Sequence, residues 1–191
     1  MSLLTIVILA IIAIVVLIIA LIGGSVALIN LDLMSYTATG TETMTPAKTA
    51  AGNALVVYNP GVSGAAKISA KEIAGELRSR GYKVELAGVR STVAANTSGY
   101  DIVVVGGPLY FGTESSATAA YLKALTLKQD ARLGIFGTTG TSDFVASDLT
   151  TVEKQVASLQ SGKRVVIRLI SDRDEKKAAG ECKDFVAAVL Q

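Results

Sequence analysis

The chain has 191 residues, half of them hydrophobic, with a mean hydropathy of +0.49 and a formal net charge of +2. It contains no histidine and a single cysteine, Cys182, which excludes Ser-His-Asp and Cys-His catalysis, His- or Cys-clustered zinc, iron–sulfur clusters and dithiol redox chemistry. The charge is too small and too evenly scattered for nucleic-acid binding, no metal site is expected, and any redox chemistry falls to a bound organic cofactor.

The hydrophobic excess is concentrated in residues 3–29, LLTIVILAIIAIVVLIIALIGGSVALI, interrupted only by Thr5, Gly23, Gly24 and Ser25. A helix of about 20 apolar residues crosses about 30 Å of hydrocarbon, and residues 3–22 carry one polar side chain, Thr5. The run lacks a basic leader and exceeds the apolar core of a cleavable signal. It is read as one transmembrane helix, an uncleaved single-pass anchor with the membrane as its partner. The first basic residue of the chain is Lys48, so the positive-inside rule does not choose a side. Asn96-Thr97-Ser98 has the form of a glycosylation sequon, a triplet common by chance. Residues 30–53 are rich in Thr, Ala and Gly without a helical or strand period and read as a flexible linker.

From residue 54 to 191 apolar runs and helical patterns alternate. ALVVY (54–58) is a β-branched strand. Ala66, Ala70, Ile73, Ala74 and Leu77 follow at helical spacing, with Gly81 as the stop. KVELAGV (83–89) and IVVVG (102–106) are further strands, the second a continuous apolar run of the kind buried on both faces. Ala117, Ala120, Tyr121, Ala124 and Leu125 mark a second helix, and LGIFG (133–137) a fourth strand. Leu149, Val152, Val156 and Leu159 mark a third helix, started at Ser147 or Asp148 and stopped at Gly162. VVIRLI (165–170) is the last strand. Asp172 with Glu175 has the form of a capping box for a closing helix through Ala179, Cys182, Val186 and Val189. In that apolar stripe Cys182 reads as a buried structural thiol.

Five strands alternating with helices predict an α/β fold, a doubly wound five-stranded parallel sheet. Such sheets bind ligands beyond the carboxyl ends of their strands, so three loops carry the functional expectation. The first, Asn59-Pro60-Gly61-Val62-Ser63-Gly64-Ala65-Ala66, enters a helix N-terminus, where free N–H groups and the helix dipole favour a phosphate. It lacks the lysine-bearing pattern of a nucleoside triphosphatase loop and has no GxGxxG. The second loop, after the third strand, presents Pro108, Leu109, Tyr110, Phe111 and Gly112. Its aromatic side chains can pack on a flat ring. The third is Gly137-Thr138-Thr139-Gly140-Thr141.

The segment YDIVVVGGPLYFG (100–112) resembles the Y-D-x-(apolar)-G-[SG]-P-x-Y-x-G pattern of flavodoxins and related flavin-binding domains, where it leads into a loop lining the flavin ring. The resemblance covers about residues 54–190. It implies a flavodoxin-like fold binding FMN, with the phosphate held by Gly61, Val62, Ser63, Gly64, Ala65 and Ala66. The ring would be held by Pro108, Leu109, Tyr110, Phe111, Gly112, Thr138, Thr139, Gly140 and Thr141, with Phe144 near the third loop. The family's phosphate pattern, [ST]-x-[ST]-G-x-[ST], is kept at Ser63-Gly64, while Gly61 and Ala66 replace two hydroxyl residues. The anchor, the tether and the basic balance depart from typical small, acidic, soluble flavodoxins. The resemblance together with the apolar run at 3–29 gives the expectation of a membrane-anchored electron-transfer protein with a membrane or soluble redox partner, its domain facing the cytoplasm. The worn phosphate loop keeps a cofactor-free interaction module open as an alternative. An NAD(P)H-dependent flavin or quinone reductase is a further one.

Overall fold

A computed structural model describes residues 2–34, 38–110, 112–140, 153–154, 165–171 and 174–191. The expected third helix, from Ser147 or Asp148 to Gly162, is outside the described residues apart from 153–154, as are Phe111, Thr141, Phe144 and Asp172.

The apolar run forms α1 (Leu3–Met34). Residues Leu3–Asn30 are long and apolar enough to cross a membrane, with a mean hydropathy of 3.6 and none of that window buried by the rest of the molecule. Beyond α1 the strands are β1 (Thr41–Met44), β2 (Gly52–Tyr58), β3 (Tyr82–Gly88), β4 (Ile102–Tyr110), β5 (Thr113–Glu114), β6 (Arg132–Thr139) and β7 (Val165–Ser171). The helices are α2 (Ala65–Ser79), α3 (Ser116–Ala124) and α4 (Glu175–Leu190).

Five strands run parallel in the order β3-β2-β4-β6-β7. Numbered among themselves this is 2-1-3-4-5, the doubly wound order whose topological switch point lies between the first and third strands, here β2 and β4. Successive residues of a strand point to opposite faces, and the core divides accordingly. Ala54, Val56, Ile102 and Val104 pack with α2 and α4, whereas Leu55, Val57, Val103 and Val105 pack with Ala117 and Leu122 of α3. Both faces are covered, which is why these strands read as unbroken apolar runs. Gly106 is required by packing: a Cβ there would sit 2.3 Å from the Phe136 ring.

The structure adds two strands to the five expected. β5 is a two-residue strand that turns back on β4, pairing Leu109 with Glu114 and Tyr110 with Thr113. β1 lies inside the segment read as a linker and pairs antiparallel with β3, from Thr41↔Ala87 to Met44↔Val84. Its TETM sequence is too short and too polar to give a strand signal, because an edge strand exposes most of its side chains; only Met44 packs against the core. The cap of α4 also differs from the expected one. Asp174, directly before the helix, accepts from the N–H groups of Lys176 and Lys177 at 2.9 and 3.1 Å. Glu175 is thus the first helical residue, without the spacing of a capping box to Asp172. Cys182 is buried on α4, and its burial pushes the thiol up to about 12.

Candidate functional site

The three loops named from sequence converge at the carboxyl edge of the sheet. Val62 and Ser63 from the β2–α2 loop, Pro108, Leu109 and Tyr110 from the end of β4, and Thr138, Thr139 and Gly140 from the end of β6 line one cavity of about 420 Å³. That volume lies within the range of small-molecule sites. Among the described residues its lining carries no charged side chain. The electrostatic asymmetry of the site comes instead from the α2 N-terminus, which carries roughly half a positive charge.

The β2–α2 loop is held open by glycine. Gly61 has φ +71° and lies so close to the β4 end that a Cβ would meet Cβ and Cγ of Pro108 at 2.9 Å. Gly64, at φ 76°, is the N-cap residue of α2 and offers no side-chain cap. Ser63 folds its hydroxyl back to accept from the Ala65 N–H at 3.3 Å, leaving its own proton to donate. The Val62 N–H donates to the Tyr110 hydroxyl at 2.9 Å. The N–H groups of Ser63 and Ala66 find no acceptor among the described residues. The loop therefore presents backbone donors, one hydroxyl and the positive end of a helix, a combination that suits an anion.

Not every expected residue lines the cavity. Ala65 faces a separate cleft between α2 and α4, and the Ala66 side chain is fully buried in the core. The position where flavodoxins place a hydroxyl is thus occupied here by a core methyl group, and only its backbone remains available. Gly112, at φ 75°, makes the turn between Tyr110 and Thr113 and does not line the cavity. Tyr110 is brought to the site, but its hydroxyl ties the β4 end to the first loop rather than standing free.

Sequence reasoning missed two groups. The first is Ser25, Leu28 and Ile29 of α1, which form one wall of the cavity. Their place in the apolar run at 3–29 read only as membrane span, and nothing local signals a tertiary contact. The second is a buried polar cluster on the α3 side of the switch point. Asn59 donates through Nδ2 to Ser115 Oγ at 2.7 Å, Ser115 Oγ lies 2.8 Å from Thr118 Oγ1, and Ser115 also caps α3 by accepting from the Thr118 N–H. With two donors already on it, the Ser115 hydroxyl sends its proton to Thr118. Asn59 Oδ1 and both carboxyl oxygens of Glu114 are buried without a hydrogen-bond partner among the described residues. Burial pushes the Glu114 carboxyl up to about 8, so it is mostly protonated at neutral pH and adds little charge beside the cavity.

No family model and no curated protein matches the chain. Solved structures do match in fold. A Streptococcus pneumonia TIGR4 flavodoxin aligns with a TM-score of 0.55 at 18% identity, covering 72% of this chain and 97% of the other. Oxidised flavodoxin 2 from Bacillus cereus aligns at 0.52 and 18% identity with the same coverage. A short-chain flavodoxin associated with a bacterial microcompartment gives 0.54 at 16% identity, covering 72% and 96%. The chain has the flavodoxin-like fold, preceded by an apolar helix that is a candidate membrane anchor.

Proposed function

We propose that this protein is a membrane-anchored flavodoxin-like electron-transfer protein that binds FMN at the carboxyl edge of its sheet. One observation carries the reading: loops after the first, third and fourth parallel strands line one cavity next to the switch point, uncharged among the described residues, with a helix N-terminus at one end. The phosphate would be held by the N–H groups of Ser63 and Ala66, the Ser63 hydroxyl and the α2 dipole. Leu109, Tyr110 and Pro108 on one side and residues 138–140 on the other would bound the ring and exclude water from it. FMN supplies one- and two-electron transfer chemistry; the protein binds and orients it and sets the polarity around it. A buried, mostly protonated carboxyl at Glu114 and the absence of a lining charge among the described residues keep that surrounding nearly neutral. FMN proteins with docking partners are mostly cytoplasmic, and the domain is assigned to that side. Resistance of the domain to protease added outside sealed, right-side-out cells is the expected result; external cleavage would reverse the assignment.

The burial of Ala66 where a phosphate-binding hydroxyl is expected supports a second reading, a cofactor-free module acting through protein contacts. The absorbance spectrum of the full chain, purified in detergent without added flavin and then titrated with FMN, separates the two. Oxidised-flavin bands in the purified protein, or saturable uptake on titration, are expected. A colourless chain that takes up no FMN would refute the proposal and leave the second reading.

A further inference from the structure

The anchor does more than tether the domain. Backbone carbonyls of Ala38 and Gly40 accept from the N–H groups of Arg90 and Gly88, each at 2.8 Å, at the carboxyl end of β3. Four peptide steps separate Met34, the last residue of α1, from Ala38, and a fully extended chain covers at most about 14 Å in four residues. The chain therefore enters the sheet at the edge that bears the cavity. Independently of that connection, Ser25, Leu28 and Ile29 of α1 form a wall of the cavity itself, and α1 packs against α3.

The dimensions of α1 then set the depth of the site. If residues 3–22 fill the hydrocarbon, Ser25 to Ile29 lie about 5–11 Å beyond its boundary at 1.5 Å per residue, roughly the depth of the headgroup layer. Any shift of the apolar window toward the C-terminal end of α1 draws them deeper. Val62, 54% exposed at the tip of the first loop, lies on the same cavity as these residues. The opposite edge of the sheet, where exposed Asp130 lies in the turn before β6, points away from the helix end.

The geometry points to an interaction surface: the carboxyl edge of the sheet sits against the headgroup layer of the bilayer that α1 crosses, and the end of the anchor completes the site. The inference rests on α1 spanning a membrane and is independent of whether FMN is bound. It places the cavity mouth where a molecule in the membrane plane reaches it before one in the bulk solvent.

The chain contains no tryptophan, so one introduced indole reports its own depth. Full-length V62W and, in parallel, D130W are reconstituted into phosphatidylcholine vesicles with and without a nitroxide on the lipid headgroup. S63W serves as a second probe at the same edge should V62W fail to fold. Co-flotation with vesicles is scored first. The expected result is that tryptophan at position 62 or 63 loses most of its emission to the headgroup nitroxide while tryptophan at 130 keeps nearly all of its own. Vesicle-bound protein with unquenched 62 and 63 probes overturns the inference, and equal quenching at 62 and 130 overturns it by showing a domain that lies flat. Failure to float overturns the anchor reading and this inference with it, whereas D130W protein, whose substitution lies outside the cavity, that is colourless and takes up no added FMN refutes only the FMN reading when the quenching pattern is as expected.

Discussion

Glu114 provides the sharpest quantitative test of the structure. Its carboxyl is fully buried with no hydrogen-bond partner on either oxygen among the described residues, and desolvation raises it from an ordinary value near 4.5 to about 8. Between those values the folded chain holds a proton that the unfolded chain has released. Stability is therefore fully present below about pH 4.5 and is lost as pH rises toward 8, at about 1.4 kcal/mol per unit. The whole interval amounts to about 5 kcal/mol, on the order of 10 °C in midpoint for a domain of this size. E114Q removes the titration while keeping the shape. Gln introduces its own unpaired amide, so the informative quantity is the slope with pH rather than the offset at one pH. The assay is guanidinium unfolding of the ligand-free full chain in detergent from pH 4.5 to 8.5, followed by circular dichroism. The wild-type stability is expected to fall steadily across the range relative to E114Q, whatever constant offset separates the two at the acid end. Parallel curves would refute the burial of an unpartnered carboxyl.

The remaining predictions concern the loops and the buried cluster. G61A is expected to destabilise the chain by about 1–3 kcal/mol, because the added methyl meets Pro108 at 2.9 Å in a left-handed backbone conformation; chemical denaturation measures it, and a neutral effect would show the loop to be differently placed. S115A removes the α3 cap and the acceptor of the buried Asn59 amide together, for an expected loss of about 2 kcal/mol, whereas S115T, which keeps the hydroxyl, is expected to recover part of it. Cys182, buried with its thiol raised to about 12, is expected to resist iodoacetamide at pH 8 in the folded chain and to react on unfolding. Rapid labelling of the native protein would contradict its packing.

The fold was legible in the sequence where burial is two-sided or periodic. The apolar runs at 54–58, 102–106 and 133–137 each lie in one of the parallel strands, because a strand covered on both faces must be apolar throughout; 165–170 lies in the edge strand β7, which is only partly buried and exposes Arg168. The helical spacing from Ala66 to Leu77 falls within α2, because one stripe of a helix must meet the sheet. The three loops that form the cavity were also legible, since a parallel doubly wound sheet can gather ligands only beyond its carboxyl ends. β1 was not, because an exposed edge strand needs no hydrophobic pattern, and Asp174 rather than Asp172 caps α4 because the helix starts where the backbone turns, which either acidic residue would have served.

What the sequence by itself determined is thus the order of the five parallel strands and the apolar character of residues 3–29, both consequences of which side chains must leave water. What only the tertiary structure decided is which of those groups meet. Leu28 is one apolar residue among many until the helix end lies against the cavity. Ala66 looks like part of a phosphate loop until its methyl turns into the core. Glu114 looks like an ordinary surface carboxylate until the β4–β5 turn buries it opposite Leu109. Burial and contact between residues far apart in the chain depend on how elements pack, and local pattern carries no record of that.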